Sequence, residues 1–297
     1  MHTKDSTAPA LKNNRFVKVI ECPRDAMQGW KHQIPTAVKV DYINALLRVG
    51  FDTLDFGSFV SPKAIPQMAD TEAVLAGLHR PIHDTRLLAI IANRRGAEEA
   101  CSHPEVGYLG YPFSVSETFQ LQNTGATIAE SLERVFDIHY LAKQSDKQLV
   151  VYLSMAFGNP YGDAYSKDIV YHWAQKLAHM GITSISLADT VGLASPSDIF
   201  HLTKHVVDAL PEMEIGVHLH SRPGEVSEKV AAALDAGSRR IDGAIGGFGG
   251  CPMAQDELVG NLDTSDIVSY LHAHGYETHI NGEALDEARA FAGTIFV

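Results

Sequence analysis

A pair of histidines, His218 and His220, closes the apolar run 215–220 and is the sharpest chemical pattern in the sequence. In a β-strand, residues two apart face the same side, so both imidazoles can bind one ion. A carboxylate from another strand end would complete such a site, and Asp25 is the best candidate. Two imidazoles, a carboxylate and further oxygen ligands favour Mg²⁺ or Mn²⁺ over Zn²⁺, because no thiolate pair lies nearby. The competing interpretation is one buried and one surface histidine that share no ion.

Arg24 and Cys251 are two further candidates for catalysis. The guanidinium fork of Arg24, next to Asp25, suits an enolate or carboxylate oxygen; the alternative is a surface ion pair of little energetic value. Cys251 lies in the glycine-rich stretch 243–261, where the backbone can approach a ligand closely and can move. Its thiol is therefore a candidate acid or base, and the alternative is a flexible connection with an incidental cysteine. The stretch comes too late in the chain to be a dinucleotide-binding fingerprint.

The elements that must position these groups are short apolar runs separated by amphipathic segments. Eight runs rich in Val, Ile and Tyr have the length of buried parallel strands: 17–23, 53–59, 86–91, 106–113, 149–157, 184–189, 215–220 and 240–245. The amphipathic segments between them include 36–50, 127–144, 167–181, 195–211 and 225–237. This alternation predicts an α/β protein with a single (β/α)8 TIM barrel over residues 16–297, although an open sheet would give the same pattern. We expect a flexible arm over residues 1–15 and an extra C-terminal helix over 286–297.

Catalytic groups of such a barrel cluster where strands end and the following loops begin. Nearly every predicted strand end delivers a polar or reactive side chain, namely Asp55, Ser58, Asn93, Ser114, Ser154, Asp189 and Thr190. Because these ends meet at one face of a barrel, their convergence indicates an active site more strongly than any single motif does.

Composition narrows the class of protein. The 297 residues carry a formal net charge of −12, which argues against nucleic-acid binding, since that requires a basic surface. Three cysteines are too few, and odd in number, for a disulfide framework, so a cytoplasmic location is expected. No apolar run reaches the roughly 18 residues of a membrane-spanning helix, and we expect no membrane partner.

Taken in order, the motifs resemble those of the 3-hydroxy-3-methylglutaryl-CoA lyases, a family of metal-dependent lyase and synthase barrels. The matching segments are PRDAMQ (23–28), SFVSPKAIPQMAD (58–70), SLADTVGLASP (186–196), VHLH (217–220), GGFGGCPMAQ (246–255) and GNLDTSDIV (260–268), with the Ser154, Gly158, Pro160 and Tyr161 pattern between them. The resemblance extends from about residue 17 to about residue 275. It implies a (β/α)8 barrel and the lyase branch, because related synthases usually carry a long additional C-terminal region.

The resemblance also implies a site and a reaction. A divalent cation, Mg²⁺ or Mn²⁺, would be held by Asp25, His218, His220 and Asn261. Arg24 would stabilise an enolate, Cys251 would transfer a proton, and His218 or Asp189 would act as the base, with Asp55 where the family has a glutamate. The residues expected to contact substrate are Gln28, Ser58, Asn93, Ser154 and Thr190. The implied reaction cleaves 3-hydroxy-3-methylglutaryl-CoA, a small-molecule acyl-CoA, into acetyl-CoA and acetoacetate, and the expected assembly is a homodimer.

Several positions depart from the family pattern near the acyl end of the substrate. Ser221 stands where an aspartate commonly follows the histidine pair, Asp55 is one methylene shorter than the usual glutamate, and Arg222–Pro223 replaces neutral residues. The segment from Cys251 to Asn261 is about one residue longer. These changes leave open an alternative: a related lyase or synthase that acts on a different 3-hydroxyacyl-CoA or oxo acid. A barrel that binds metal or CoA without catalysis is disfavoured, because the whole set of reactive residues is present.

Overall fold

Eight parallel strands close into a barrel in the computed structural model, which describes residues 15–80, 83–250 and 259–297. The strands are β1 (Lys18–Glu21), β2 (Thr53–Ser58), β3 (Arg86–Ile90), β4 (Val106–Ser114), β5 (Gln148–Ser154), β6 (Ser184–Ala188), β7 (Glu214–His218) and β8 (Arg240–Gly243). Each pairs with its neighbours in sequence, and β8 pairs with β1. The prediction of a single (β/α)8 barrel is confirmed, whereas most of the arm predicted over 1–15 lies outside the described residues.

Helices follow the strands and cover the outside of the barrel. They are α1 (Pro23–Gln28), α2 (Thr36–Leu46), α3 (Thr71–Ala76), α4 (Arg94–Cys101), α5 (Glu117–Thr124), α6 (Ile128–Gln144), α7 (Lys167–His179), α8 (Pro196–Ala209), α9 (Val226–Asp235), α10 (Thr264–Ala273) and α11 (Gly282–Ile295). The C-terminal helix, predicted over 286–297, begins at Gly282 because Asn281 caps it by accepting the backbone N–H of Ala284. No helix in the described part of the chain is long and apolar enough to cross a membrane.

The two faces of each strand pack into different environments, because successive side chains of a strand point to opposite sides. The outer faces pack against the helices and form the main hydrophobic core. The inner faces line the lumen, where Leu88, Tyr108, Val150 and Tyr152 form a smaller apolar cluster. The apolar runs are therefore nearly continuous, as is typical of a sheet that is covered on both faces.

Charged residues occupy part of the lumen near the amino-terminal ends of β7 and β8. Arg240 is fully buried, and its Nη1 lies 3.9 Å from Oε2 of Glu214. Gly216 makes room for this side chain, because a Cβ atom there would lie only 2.9 Å from Cδ of Arg240. Asp242, two residues after Arg240 on the same face of β8, brings a carboxylate toward the opposite end of the lumen.

Another buried carboxylate, Glu21, lies at the end of β1 on its outer face. It accepts hydrogen bonds from the backbone N–H of Ile245, at 2.9 Å, and from the hydroxyl of Thr264, at 2.5 Å. These bonds tie β1 to the glycine-rich connection after β8 and to the first residue of α10. Burial raises the pKa of Glu21 to about 8, even though both hydrogen bonds act in the opposite direction.

Candidate active site

A cavity of about 360 Å³ opens at the carboxyl-terminal ends of the strands, the end of the barrel where the sequence places the reactive groups. Eight of the predicted site residues line it: Arg24, Asp25, Gln28, Asn93, Ser154, Thr190, His218 and His220. Its wall is completed mainly by apolar side chains, among them Val60, Ala64, Ile65, Ile90 and Phe119. A mostly apolar pocket with a few converging polar groups is typical of a small-molecule site.

Four potential metal ligands meet at one end of this cavity. Ligand atoms of Asp25, His218 and His220 all lie within 4.8 Å of one another. Asn261 joins them, because its Nδ2 donates to Oδ2 of Asp25 at 2.8 Å and to the carbonyl oxygen of Phe248 at 2.8 Å. The other amide atom, Oδ1 of Asn261, is buried and has no hydrogen-bond partner among the described residues. Two imidazoles, a carboxylate and an unpartnered amide oxygen fit a divalent cation such as Mg²⁺ or Mn²⁺.

The protonation states of two of these ligands, Asp25 and His220, also suit a cation. Burial raises the pKa of Asp25, but the charges of Arg24 and His218 and the bond from Asn261 outweigh it and lower that pKa to about 2. Burial and the neighbouring His218 lower the pKa of His220 to about 3, so its ring is neutral and has a lone pair to offer. Burial lowers the pKa of His218 too, but its contact with Asp242 reverses the effect and the net pKa is raised.

Arg24 is held between two carboxylates at the start of α1. Its Nε and Nη2 donate to Oδ2 of Asp55, at 3.0 and 2.5 Å, and its Nη1 donates to Oδ1 of Asp25 at 2.9 Å. Asp55 is fully buried on β2, and burial raises its pKa to about 6 despite the opposing charge of Arg24. The pKa of Asp25 is lowered while that of Asp55 is raised, because Asp25 accepts additional hydrogen bonds from Gln28 and Asn261.

Gly249 brings the backbone of the glycine-rich stretch directly against the ligands. A Cβ atom at this position would lie 2.5 Å from Nδ2 of Asn261 and 3.0 Å from Oδ2 of Asp25. Its φ of +105° is also a conformation that residues with a side chain rarely adopt. Both facts require glycine here. Cys251, two residues further along, lies outside the described residues together with the whole segment 251–258.

Two predicted site residues turn away from the cavity. The carboxylate of Asp189 accepts the backbone N–H groups of Leu193 and Ala194, at 2.9 and 3.1 Å, and so holds the loop between β6 and α8. The hydroxyl of Ser58 accepts the N–H of Val60 at 3.3 Å. Neither residue lines the cavity, because each side chain satisfies the backbone of its own loop.

Two cavity residues predicted to contact substrate also have structural bonds. Asn93 caps α4 by accepting the N–H of Gly96 at 3.0 Å, and the hydroxyl of Thr190 accepts the N–H of Met155 at 2.9 Å. These bonds fix both side chains at the rim of the cavity.

Two residues that contact His218, Asp242 and Tyr152, were not predicted as site residues. Oδ2 of Asp242 lies 3.2 Å from Nδ1 of His218, and the ring of Tyr152 packs edge-on against it at 5.8 Å between centroids. A signal for Asp242 was present, since an aspartate inside an apolar strand needs a polar partner in the lumen. Tyr152 carried no such signal, because a tyrosine in a strand is ordinary core composition.

Comparison with known proteins finds relatives over most of the chain. The HMGL-like family model matches residues 17–291. The cytoplasmic 3-hydroxy-3-methylglutaryl-CoA lyase of Danio rerio is 34% identical over 279 residues, which cover 93% of this chain and 82% of that protein. The mitochondrial hydroxymethylglutaryl-CoA lyase of Mus musculus is 35% identical over 278 residues, covering 93% and 84%.

A solved structure gives the same result for the fold. An HMG-CoA lyase from Acinetobacter baumannii, in complex with coenzyme A and 3-methylmalate, superimposes with a TM-score of 0.88 at 33% identity. The superposition covers 96% of this chain and 93% of the other. The chain therefore belongs to the HMGL-like family.

Proposed function

We propose that this chain is a divalent-metal-dependent carbon–carbon lyase that cleaves 3-hydroxy-3-methylglutaryl-CoA into acetyl-CoA and acetoacetate. The observation that carries the proposal is the cluster of Asp25, His218, His220 and Asn261 beside the buried guanidinium of Arg24, at one end of the cavity. The related lyases support the reaction, and the coenzyme A in the Acinetobacter baumannii complex supports an acyl-CoA substrate.

In this proposal the cation is held by the four clustered side chains. Mg²⁺ or Mn²⁺ there would orient substrate oxygens and lower the pKa of the hydroxyl group whose proton must leave. The unpartnered Oδ1 of Asn261 and the neutral ring of His220 are ready to bind it without first losing a proton. Gln28 steadies the carboxylate ligand, because its Nε2 donates to Oδ1 of Asp25 at 2.7 Å.

Arg24 stabilises the enolate that forms when the carbon–carbon bond breaks. Three of its five N–H groups bind Asp55 and Asp25, which leaves two for a substrate oxygen on the cavity side. Because both carboxylates fix the guanidinium before substrate arrives, little reorganisation is needed as negative charge develops. Asp55 is thus a positioning residue in this scheme.

The two candidate bases have different surroundings. The carboxylate of Asp189 is committed to backbone N–H groups, and we assign it the role of holding the loop. Nδ1 of His218 faces Asp242 while its ring belongs to the ligand cluster, so we assign His218 to cation binding. With both groups engaged, the proton of the substrate hydroxyl passes to water in the cavity, and water later restores the proton that Cys251 gives to the enolate. Cys251 remains the proposed proton donor to the enolate, on the basis of its place two residues after Gly249 in sequence.

The test is a thioester-cleavage assay on the purified protein with Mg²⁺ or Mn²⁺. We expect acetyl-CoA and acetoacetate from 3-hydroxy-3-methylglutaryl-CoA, and we expect EDTA to remove this activity. In His220→Ala, addition of metal should no longer stimulate cleavage. Arg24→Met should lower kcat by about 10²-fold or more. Turnover of another 3-hydroxyacyl-CoA alone would favour the related lyase or synthase, and no turnover of any thioester would refute the proposal.

Two further assignments remain proposals. The relatives that match the chain include proteins named cytoplasmic and proteins named mitochondrial. We propose the cytoplasm because three cysteines are too few for a disulfide framework, and cell fractionation would check this location. We likewise propose a homodimer, to be checked by light scattering on the eluting protein.

A further inference from the structure

The carboxylate of Asp242 lies inside the barrel, directly beneath the ligand cluster. Asp242 pairs with His218 in the register of β7 and β8, and its side chain is fully buried. Its Oδ2 lies 3.2 Å from Nδ1 of His218 and 3.5 Å from the hydroxyl of Ser186. The second of these contacts is at the limit of a hydrogen bond, so the imidazole is the principal partner of this oxygen.

Burial of this carboxylate needs compensation, because an unpaired charge in a protein interior is costly. Oδ1 of Asp242 has no hydrogen-bond partner among the described residues, and neither do the guanidinium nitrogens of Arg240 deeper in the lumen. The charge of Asp242, two residues further along the same face of β8, raises the pKa of Arg240 against the effect of burial. Arg240 therefore offers a guanidinium to Asp242 from deeper in the lumen.

The thiol of Cys22 also lies within 4.8 Å of the ring of His218 and the carboxylate of Asp242. Burial and the neighbouring carboxylates raise the pKa of this thiol, so it remains protonated and is only a weak hydrogen-bond donor. It does not replace the carboxylate at Nδ1 of His218.

We propose that Asp242 is a positioning residue that fixes the tautomer of His218. Oδ2 of Asp242 lies 3.2 Å from Nδ1 of His218, and a carboxylate oxygen accepts at such a contact, so the proton of the neutral ring is on Nδ1 and its lone pair on Nε2. The edge-on contact with Tyr152 holds the plane of the same ring. His218 thereby presents Nε2 as a ligand, and the inference rests on the proposed cation site.

Carboxylate partners of this kind typically contribute 10- to 100-fold to metal affinity. The experiment is a titration of the purified protein with Mn²⁺ alone, in which electron paramagnetic resonance measures the free ion at pH 8. We expect Asp242→Ala to weaken Mn²⁺ binding by 10- to 100-fold, and we expect the matched change Asp235→Ala, at an exposed carboxylate of α9, to leave it unchanged.

A double-mutant cycle separates positioning from general stability. If Asp242 acts through His218, Asp242→Ala should change Mn²⁺ affinity less than about twofold when His218→Ala is already present. An equal loss in both backgrounds, or no loss in the single variant, would overturn the proposal.

A second measurement does not depend on a variant of Asp242 or on metal. In wild-type protein labelled with ¹⁵N-histidine, the ring signal that His218→Ala removes should have the shifts of a neutral Nδ1–H tautomer at high pH. A neutral Nε2–H tautomer would refute the inference. If the wild-type protein did not bind Mn²⁺, the cation site would be refuted. The ¹⁵N spectrum would then still test the tautomer of His218 by itself.

Discussion

The buried carboxyl group of Glu21 should make the stability of this protein fall as pH rises. Its pKa is raised from 4.5 to about 8 by burial, so the folded protein keeps this proton at pH values where the unfolded chain has lost it. Between those two pKa values the folded state binds more protons, and the free energy of unfolding therefore decreases with pH. The contribution is complete below pH 4.5 and lost by about pH 8.

The size of the effect follows from the width of this interval. One pKa unit corresponds to about 1.4 kcal/mol, so the span from pH 5.5 to pH 8 should cost roughly 3 kcal/mol of stability. Glu21→Gln removes the titration and keeps the shape of the side chain. Its amide oxygen can accept the N–H of Ile245, and its amide nitrogen can donate to the hydroxyl of Thr264.

Urea unfolding of the metal-free protein at several pH values between 5.5 and 8 gives the required curves. The difference in unfolding free energy between Glu21→Gln and wild type should shift in favour of the variant by roughly 3 kcal/mol over this range. Other titrating groups cancel in this difference, and Glu228→Gln, an exposed change on α9, provides the control. Parallel pH curves for wild type and Glu21→Gln would refute the reasoning.

Three other changes should have distinct effects. Asp55→Ala leaves the buried guanidinium of Arg24 without its two-pronged partner and should destabilise the fold by about 3–5 kcal/mol in urea unfolding; an unchanged midpoint would contradict this. Gly249→Ala adds a methyl group 2.5 Å from an amide nitrogen of the ligand cluster. It should weaken Mn²⁺ binding at least tenfold in titration, whereas Gly293→Ala, with open space around it, should not. Phe296→Ala removes a stacked, buried ring and should lower the unfolding free energy by about 3 kcal/mol, an expectation that a loss below 1 kcal/mol would exclude.

The barrel was predictable because its strands are covered on both faces. Each strand appears in the sequence as a short, nearly continuous apolar run, and eight such runs with helices between them have few other arrangements. Short helices were less visible. Pro23–Gln28 begins directly after β1, and its six residues are too few to show a helical period, so the pattern indicated only that Arg24 and Asp25 follow the end of a strand.

The orientation of polar side chains at strand ends was the part that sequence pattern left undetermined. A carboxylate or hydroxyl there can face the cavity or bind its own loop, and the choice depends on backbone N–H groups that only the folded loop brings near. The side chains of Asp189 and Ser58 bind backbone N–H groups of their own loops. Asp242 shows the opposite problem, because its partner His218 is on another strand and lies 24 residues away in the chain.

The ligand cluster straddles the place where the circle of strands is closed. Asp25 follows the first strand and Asn261 follows the last, 236 positions apart, and they meet beside the β1–β8 pairing. A cation held there, as proposed, would join the beginning and the end of the barrel, residues 236 positions apart whose association has a large entropic cost. During synthesis, a chain that has not yet reached residue 261 lacks Asn261, one of the four proposed ligands, even if its earlier strands and helices have already folded. With the proposed cation, the affinity for the ion would therefore measure completed assembly, and the metal-free protein should open first where β1 and β8 pair.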